Sequence, residues 1–84
     1  MDELESRFKK AIEDVKNTNP SQTDKLKLYG LYKQVNFGDN NESKPWSYQM
    51  EKSYKWQAWK DNSRKSKELC MDLYIKLVEK LLKN

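Results

Sequence analysis

The sequence contains no histidine, a single cysteine and only two glycines among its 84 residues. Without histidine the chain has no imidazole general base, no Ser–His or Cys–His nucleophilic pair and no imidazole metal ligand. The single Cys70 can form neither an internal disulfide nor a thiolate zinc cage, and the isolated Gly30 and Gly38 do not make a glycine-rich phosphate loop. These absences exclude most enzyme chemistries, so any phosphate must be held by side chains or by helix N-termini.

Long hydrophobic runs are missing as well. No uncharged run approaches the ~18 residues that a membrane span requires, and the Met-Asp-Glu start has neither the basic nor the apolar region of a signal peptide. We therefore expect a cytoplasmic protein with no integral membrane segment. In that compartment Cys70 stays reduced, and we interpret it as a small apolar side chain on a helix.

The composition predicts one small helical domain. Hydrophobic and charged residues each make up 36% of the chain, which fits a single domain over residues 1–84 with a modest core. Helix-forming residues are common, and Gly and Pro mark only a few breaks. Four helices are predicted, over about residues 2–16, 21–37, 47–60 and 66 to the C-terminus, with Ser21 or Thr23 and Ser66 as N-caps. The fold class is an all-α four-helix bundle, since short, interrupted apolar stripes exclude a coiled coil.

Apolar residues recur at three- and four-residue steps in three of these segments, which predicts their buried faces. The stripes are Leu4, Phe8, Ala11, Ile12 and Val15 in the first helix, Leu28, Leu31 and Val35 in the second, and Leu69, Leu73, Leu77, Val78 and Leu81 in the fourth. One core must serve the whole chain, so it also has to recruit the rings of Trp and Tyr.

Positive charge is concentrated in the middle of the chain. The formal net charge is +4, and residues 25–60 carry seven basic and three acidic side chains. In the second helix Lys25, Tyr29, Tyr32 and Lys33 fall roughly opposite the apolar residues. A tyrosine ring can stack on a nucleobase while an ammonium group reaches phosphate oxygens, so this set suits a nucleotide-like ligand. The alternative is that both tyrosines pack against a neighbouring helix.

The third helix carries Lys55, Trp56 and Trp59. Lys55 would extend the positive patch if this helix lies beside the second, and it is otherwise an ordinary surface lysine. For the two tryptophans, which are the largest apolar groups available, core packing is the favoured interpretation.

Several motifs resemble the acyl-CoA-binding protein family. They are YGLYKQVNFGDNN from Tyr29 to Asn41, Pro45, KWQAW from Lys55 to Trp59, MDLYIKLV from Met71 to Val78, and FKKAIEDVK from Phe8 to Lys16. They come in the family's order and spacing and cover nearly the whole chain. The resemblance implies a four-helix bundle of up-down-down-up topology. It also implies a cytosolic carrier and buffer that binds medium- to long-chain acyl-CoA esters one at a time, without catalysis and without a cofactor.

The resemblance further implies which residues contact the ligand. Tyr29, Tyr32 and Lys33 match the family positions that hold the adenine and the 3'-phosphate. Lys55 matches the lysine that also reaches that phosphate.

Four more positions are carried over in the same way. Tyr74 matches the fourth-helix tyrosine near the ligand, and Lys16 matches the first-helix lysine that contributes to the head-group site. Gly30 and Leu31 lie inside the same contact segment as the two tyrosines of the second helix. No catalytic residue and no metal ligand is expected.

The chain departs from the family pattern at three places. Glu51 stands where a basic residue is common, and Lys52-Ser53-Tyr54 replaces a stretch that often holds Gly and further lysines, which affects one head-group contact. Trp46 to Met50 replaces the usual Gly-Met-Leu-Asp, and the connection before Pro20 is about two residues shorter. These places border the ligand groove in the family, so we expect them to influence chain-length preference.

Two other classes of function stay open from the residues alone. A pI of about 9.1 with aromatics between lysines suits a nucleic-acid-binding module, although 13 acidic residues and the lack of an Arg-rich stripe weaken that interpretation. The second is a bundle whose tyrosine face docks a partner helix. An enzyme is the least favoured class. We expect a monomer with no nucleic-acid partner, whose contacts with membranes or with acyl-CoA-using enzymes are transient.

Overall fold

The computed structural model describes residues 2–83. They form four α-helices, which are α1 (Glu3–Asp14), α2 (Gln22–Phe37), α3 (Met50–Lys60) and α4 (Lys67–Leu82), and a short 3-10 turn, Val15–Asn17, continues α1. No β-strand occurs within this range. The predicted all-α four-helix architecture is confirmed.

Side-chain caps begin α2 and α4. The hydroxyl of Ser21 accepts the backbone N–H of Asp24 at 3.1 Å, and that of Ser66 accepts the N–H of Leu69 at 3.0 Å. Both N-caps agree with the sequence prediction. At the other end of α2, Gly38 has a φ of 76°, a conformation that glycine adopts readily and that ends the helix.

The third helix begins later than the sequence predicts. The expected start near residue 47 is wrong, because residues 46–49 form a turn in which the N–H of Gln49 donates to the carbonyl of Trp46 at 2.9 Å. The hydroxyl of Ser53 donates to the same carbonyl at 3.4 Å. The turn is thereby tied to the first turn of α3.

The core lies where α4 packs against α1 and α2. Its buried members are Phe8, Ala11, Leu28, Leu31, Val35, Cys70, Met71, Tyr74, Ile75 and Val78. The buried faces predicted for α1 and α2 are confirmed. In α4 the prediction is wrong for Leu69, which is 44% exposed, because the side chains that face the core at this end are the next two, Cys70 and Met71.

Gly30 sets how closely α2 approaches α3. A Cβ atom at this position would overlap the backbone carbonyl of Ala58 and would lie 2.9 Å from the side-chain nitrogen of Asn62. The same carbonyl accepts a hydrogen bond from the Asn62 amide at 3.0 Å. Since a residue without a side chain occupies the crossing point, the two backbones come into direct contact.

Both tryptophans hold the loop between α2 and α3 against α3. The indole N–H of Trp59 donates to the carbonyl of Gly38, and that of Trp56 donates to the carbonyl of Glu42, each at 2.8 Å. The side-chain amide of Asn40, which is fully buried, donates to the backbone carbonyl of Trp56 at 3.0 Å. The core-packing interpretation fits Trp59, which is buried, better than the half-buried Trp56.

Asp39 fixes the start of this loop. Its carboxylate accepts hydrogen bonds from the backbone N–H of Arg64 at 2.9 Å and from the side-chain amide of Gln34 at 2.7 Å. These hydrogen bonds hold the pKa of Asp39 below its ordinary value, and the bond from Arg64 has the largest effect. They connect the end of α2 to the segment between α3 and α4.

We predict that Gly30→Ala destabilises the protein. The added methyl group would overlap the Ala58 carbonyl. Overpacking of this kind costs about 1–3 kcal/mol, which exceeds the gain of about 0.5–1 kcal/mol from replacing a helical glycine. Thermal unfolding followed by circular dichroism measures the difference. Lys27→Ala, an exposed change on the same helix, is the control and should leave the midpoint nearly unchanged. An alanine variant at position 30 as stable as the wild type would show that the two backbones are not in close contact.

Candidate functional site

Two sides of α2 meet different surroundings. Leu28, Leu31 and Val35 are buried in the core, as predicted. On the other side Tyr32 is 41% exposed, and Tyr29 and Lys33 are half-buried. The alternative in which a neighbouring helix covers both tyrosines is therefore wrong for Tyr32.

Neighbouring helices bring two positive charges to one phenol ring. Nζ of Lys33 lies 5.9 Å from the centre of the Tyr29 ring, and Nζ of Lys55 lies 5.6 Å from the same centre. Both distances are within the range of cation–π attraction. Tyr29, Tyr32, Lys33 and Lys55 together form what we term the cationic face. Lys55 thus joins the lysine of α2, as expected if the second and third helices are neighbours.

An ion pair engages one of the two ammonium groups. The carboxylate of Glu51, one helical turn before Lys55, lies 3.3 Å from Nζ of that lysine. Both side chains are open to solvent, so the pair contributes little to stability. Its main effect is to reduce the positive charge that the cationic face offers to an anion.

Tyr74 of α4 is buried, and the Tyr32 phenol influences its hydroxyl. Its buried ring packs edge-on against Phe8, with the ring centres 5.1 Å apart. Burial first, and the neighbouring Tyr32 phenol second, raise the pKa of Tyr74 above its ordinary value. Its hydroxyl therefore stays protonated at neutral pH and can donate a hydrogen bond.

Two cavities adjoin the contact between α2 and α3. The smaller, of about 330 Å³, has Lys25, Tyr29, Glu51 and Lys55 in its wall. The larger, of about 650 Å³, lies between α2, α3 and α4, and its apolar lining includes Leu31, Ala58, Leu73 and Leu77. Leu26 and Tyr54 line both cavities. An apolar groove therefore begins at the border of the charged cavity.

Lys16 lines a different cavity from that of Tyr29 and Lys55. Its Nζ is 3.1 Å from the carboxylate of Glu13, and it lines a third cavity, of about 530 Å³, with Leu81 and Leu82 from the end of α4. None of the three cavities described here is lined both by Lys16 and by Tyr29 or Lys55. Its place in the ligand site stays a prediction.

Gly30 and Leu31 of α2 contribute to the site through helix packing. Gly30 lies against α3, and Leu31 belongs to the core and lines the larger cavity. Neither supplies a side chain to the cationic face, so direct contact of these two residues with the head group stays a prediction.

Lys33 has two aromatic neighbours in the structure that are not among the predicted site residues. Its Nζ lies 4.3 Å from the centre of the Phe37 ring and 4.7 Å from that of Trp59. Phe37 follows Lys33 by four residues, a spacing that places both on one side of a helix. This spacing is a usable signal for Phe37. The approach of Trp59 depends on helix packing and has no local signal.

The arrangement suits an anionic ligand with an aromatic part. Two ammonium groups can meet phosphate oxygens, and two phenol rings supply surface for stacking. Within residues 2–83, His, Cys, Asp and Glu side chains form no group of three that could hold a metal ion. None of the helices in the described chain is both long and apolar enough to cross a membrane.

Comparisons by sequence and by structure lead to the same group of proteins. Residues 5–78 match the family model described as Acyl CoA binding protein. Acyl-CoA-binding protein 2 of Saccharomyces pastorianus is 46% identical over 65 residues, which are 77% of this chain and 75% of that protein. The acyl-CoA-binding protein of Gossypium hirsutum is 45% identical over 80 residues, 93% of this chain and 90% of the relative. The crystal structure of Oryza sativa Acyl-CoA-Binding Protein 2 matches with a TM-score of 0.91 and 40% identity, covering 95% of this chain and 89% of that chain.

Proposed function

This chain belongs to the acyl-CoA-binding protein family, and we propose that its cationic face holds the CoA head of the ligand while the adjoining apolar groove takes the acyl tail. Members of this family bind acyl-CoA as carriers and do not transform it. The chain accordingly binds acyl-CoA and is not an enzyme, and acyl-CoA is its ligand without any implied cofactor.

The positions of Lys33 and Lys55 are the main support for placing the CoA head group at the cationic face. The two residues come from different helices, yet their ammonium groups lie 5.9 and 5.6 Å from the centre of one ring, that of Tyr29. CoA has a 3'-phosphate and a pyrophosphate beside its adenine, and lysine binds phosphate as a point charge. An adenine that stacks on Tyr29 or Tyr32 would therefore bring its phosphates to these two charges.

We place the acyl tail beyond Leu26 and Tyr54, the two residues that line both cavities. The groove behind them, of about 650 Å³, has the size of an ordinary small-molecule site. Each buried methylene contributes about 0.8 kcal/mol, so a 16-carbon tail supplies on the order of 10 kcal/mol before ordering terms are subtracted. The tail then provides most of the affinity, and the head group provides orientation and specificity.

Four further residues have proposed roles that rest on the resemblance. The hydroxyl of Tyr74, whose pKa is raised in part by the Tyr32 phenol, is proposed to act on the same head group. Lys16 would reach the ligand after leaving Glu13. Gly30 and Leu31 act by spacing α2 from α3 and by forming the wall of the groove.

We further propose that residues 1–84 form a single binding domain that acts as a monomeric, cytoplasmic carrier and buffer of medium- to long-chain acyl-CoA. The shared core of α1, α2 and α4, with α3 packed onto α2, supports a single domain. Contacts with membranes and with enzymes that use acyl-CoA are proposed to be transient.

Calorimetric titration with three ligands tests the two-part site. We expect palmitoyl-CoA to bind much more tightly than CoA, because CoA lacks the tail. Palmitic acid should bind poorly, because it lacks the phosphates. Equal affinity for palmitic acid and palmitoyl-CoA would reject the role of the head group, and equal affinity for CoA and palmitoyl-CoA would reject the groove as the tail site.

Substitutions on the cationic face should separate binding from stability. We expect Tyr32→Ala to weaken palmitoyl-CoA binding by about five- to 150-fold, the effect of one lost aromatic stack. The thermal midpoint should stay nearly unchanged, because Tyr32 is 41% exposed. Lys33→Ala should also weaken binding, through loss of a phosphate partner. Leu69→Ala, which shortens an exposed apolar side chain of α4 outside the cavities described here, is the control and should bind like the wild type. A large drop in the midpoint of Tyr32→Ala would assign this ring to packing.

Glu51 should oppose ligand binding. Its carboxylate pairs with Lys55 at 3.3 Å and stands where the family commonly has a basic residue. We expect Glu51→Gln to strengthen palmitoyl-CoA binding by up to about fivefold, the range of an exposed ion pair, with a smaller gain at high salt.

A matched change controls for net charge alone. Asp72→Asn removes the same charge from a pair of the same spacing on α4, where the carboxylate lies 2.9 Å from Lys76. This variant should bind like the wild type. Equal gains in both variants would mean that only overall charge matters, and no gain in Glu51→Gln would argue against Lys55 as a phosphate partner.

A further inference from the structure

Three aromatic rings surround the ammonium group of Lys33. Its Nζ lies 4.3 Å from the centre of the Phe37 ring, 4.7 Å from that of Trp59 and 5.9 Å from that of Tyr29. The lysines that form ion pairs in the part of the chain described are Lys10, Lys16, Lys55 and Lys76. The charge of the half-buried Lys33 is therefore stabilised by ring faces and not by a carboxylate within these residues.

The end of α2 builds this arrangement. Phe37 is the last residue of the helix and lies one turn after Lys33, on the same side. Trp59 is buried, and its hydrogen bond to the carbonyl of Gly38 fixes the orientation of the indole. The Phe37 and Trp59 rings have centres 6.2 Å apart and planes inclined by 57°, so they form two walls around the ammonium. We term Phe37 and Trp59 the ring cage.

We propose that Phe37 and Trp59 are positioning residues for Lys33, and that the ring cage holds its ammonium ready for the 3'-phosphate of CoA. This inference rests on the proposed function, since it takes acyl-CoA as the ligand. Packing in the core does not account for Phe37, because this residue is 65% exposed. Burial in the core therefore does not explain the contact between the Phe37 ring and the Lys33 ammonium.

A ring cage suits this task better than a carboxylate would. Ring faces attract the ammonium, but an anionic phosphate oxygen is a much stronger hydrogen-bond partner for its three N–H groups. The cage also limits the conformations of a long, flexible side chain before the ligand arrives, so less freedom is lost on binding. Lys55 differs in this respect, because it must first leave Glu51.

Removal of the 3'-phosphate gives a selective test. Palmitoyl-CoA and palmitoyl-3'-dephospho-CoA are titrated into wild type, Phe37→Leu and Phe37→Tyr. We expect Phe37→Leu to bind palmitoyl-CoA about three- to tenfold more weakly, the effect of one lysine that is no longer pre-oriented. Its affinity for the dephosphorylated ligand should equal that of the wild type. Phe37→Tyr keeps the ring and should bind both ligands like the wild type.

The other outcomes distinguish this inference from the proposed function. Equal weakening of both ligands by Phe37→Leu, or no weakening of either, would overturn the positioning role. Leu69→Ala, which shortens an exposed apolar side chain of α4 outside the ring cage and the cavities described here, is the control and should change neither affinity. A wild-type protein that binds neither ligand would instead contradict the proposed function.

A measurement without ligand checks the cage itself. In the free protein, ring currents of Phe37 and Trp59 should shift the ε-methylene protons of Lys33 upfield in the NMR spectrum. Phe37→Leu should lose the part of this shift that comes from the phenyl ring, and Phe37→Tyr should keep the whole of it. Lys33 ε-methylene protons at their random-coil position in the wild type would overturn the cage, whichever ligand the protein binds.

Discussion

At Gly30 the backbone of α2 lies directly against the Ala58 carbonyl of α3, and the cationic face depends on this contact. Tyr29 and Lys33 come from one of the two helices and Lys55 comes from the other. Because no side chain separates the backbones at the crossing point, ammonium groups from both helices reach the same phenol ring. A wider spacing would move the charges apart and leave each lysine as an isolated surface group.

The loop after α2 also stabilises the packing of α2 against α3. The indole of Trp59 makes three contacts, since it donates to the carbonyl of Gly38, packs against the Phe37 ring of α2 and forms one wall around the Lys33 ammonium. The two lysines of the cationic face have different partners, which are ring faces for Lys33 and the Glu51 carboxylate for Lys55. One charge is available to an anion at once, and the availability of the second depends on ionic strength.

Local chemistry explains which features the sequence predicts. Apolar spacing and capping residues predict the four helices, the buried side of α2 and the starts of α2 and α4, because each depends on neighbours along the chain. The start of α3 could not be predicted in this way, since the turn at residues 46–49 replaces a helical turn of acceptable composition. The exposure of Leu69 and the formation of the ring cage both depend on how the helices pack. Neither the exposure of Leu69 nor the approach of Trp59 to Lys33 can be predicted from the sequence of a single helix.

The single thiol of the chain is also enclosed by this packing. Cys70 is completely buried, and burial raises the pKa of its thiol. Thiols react as thiolates, so Cys70 is a poor target for alkylating reagents in the folded protein. A second cysteine introduced on the surface would take up a maleimide dye or a spin label selectively, with the native residue left in place. Reporter groups at the border of the groove could then follow loading and release of a hydrocarbon chain in real time.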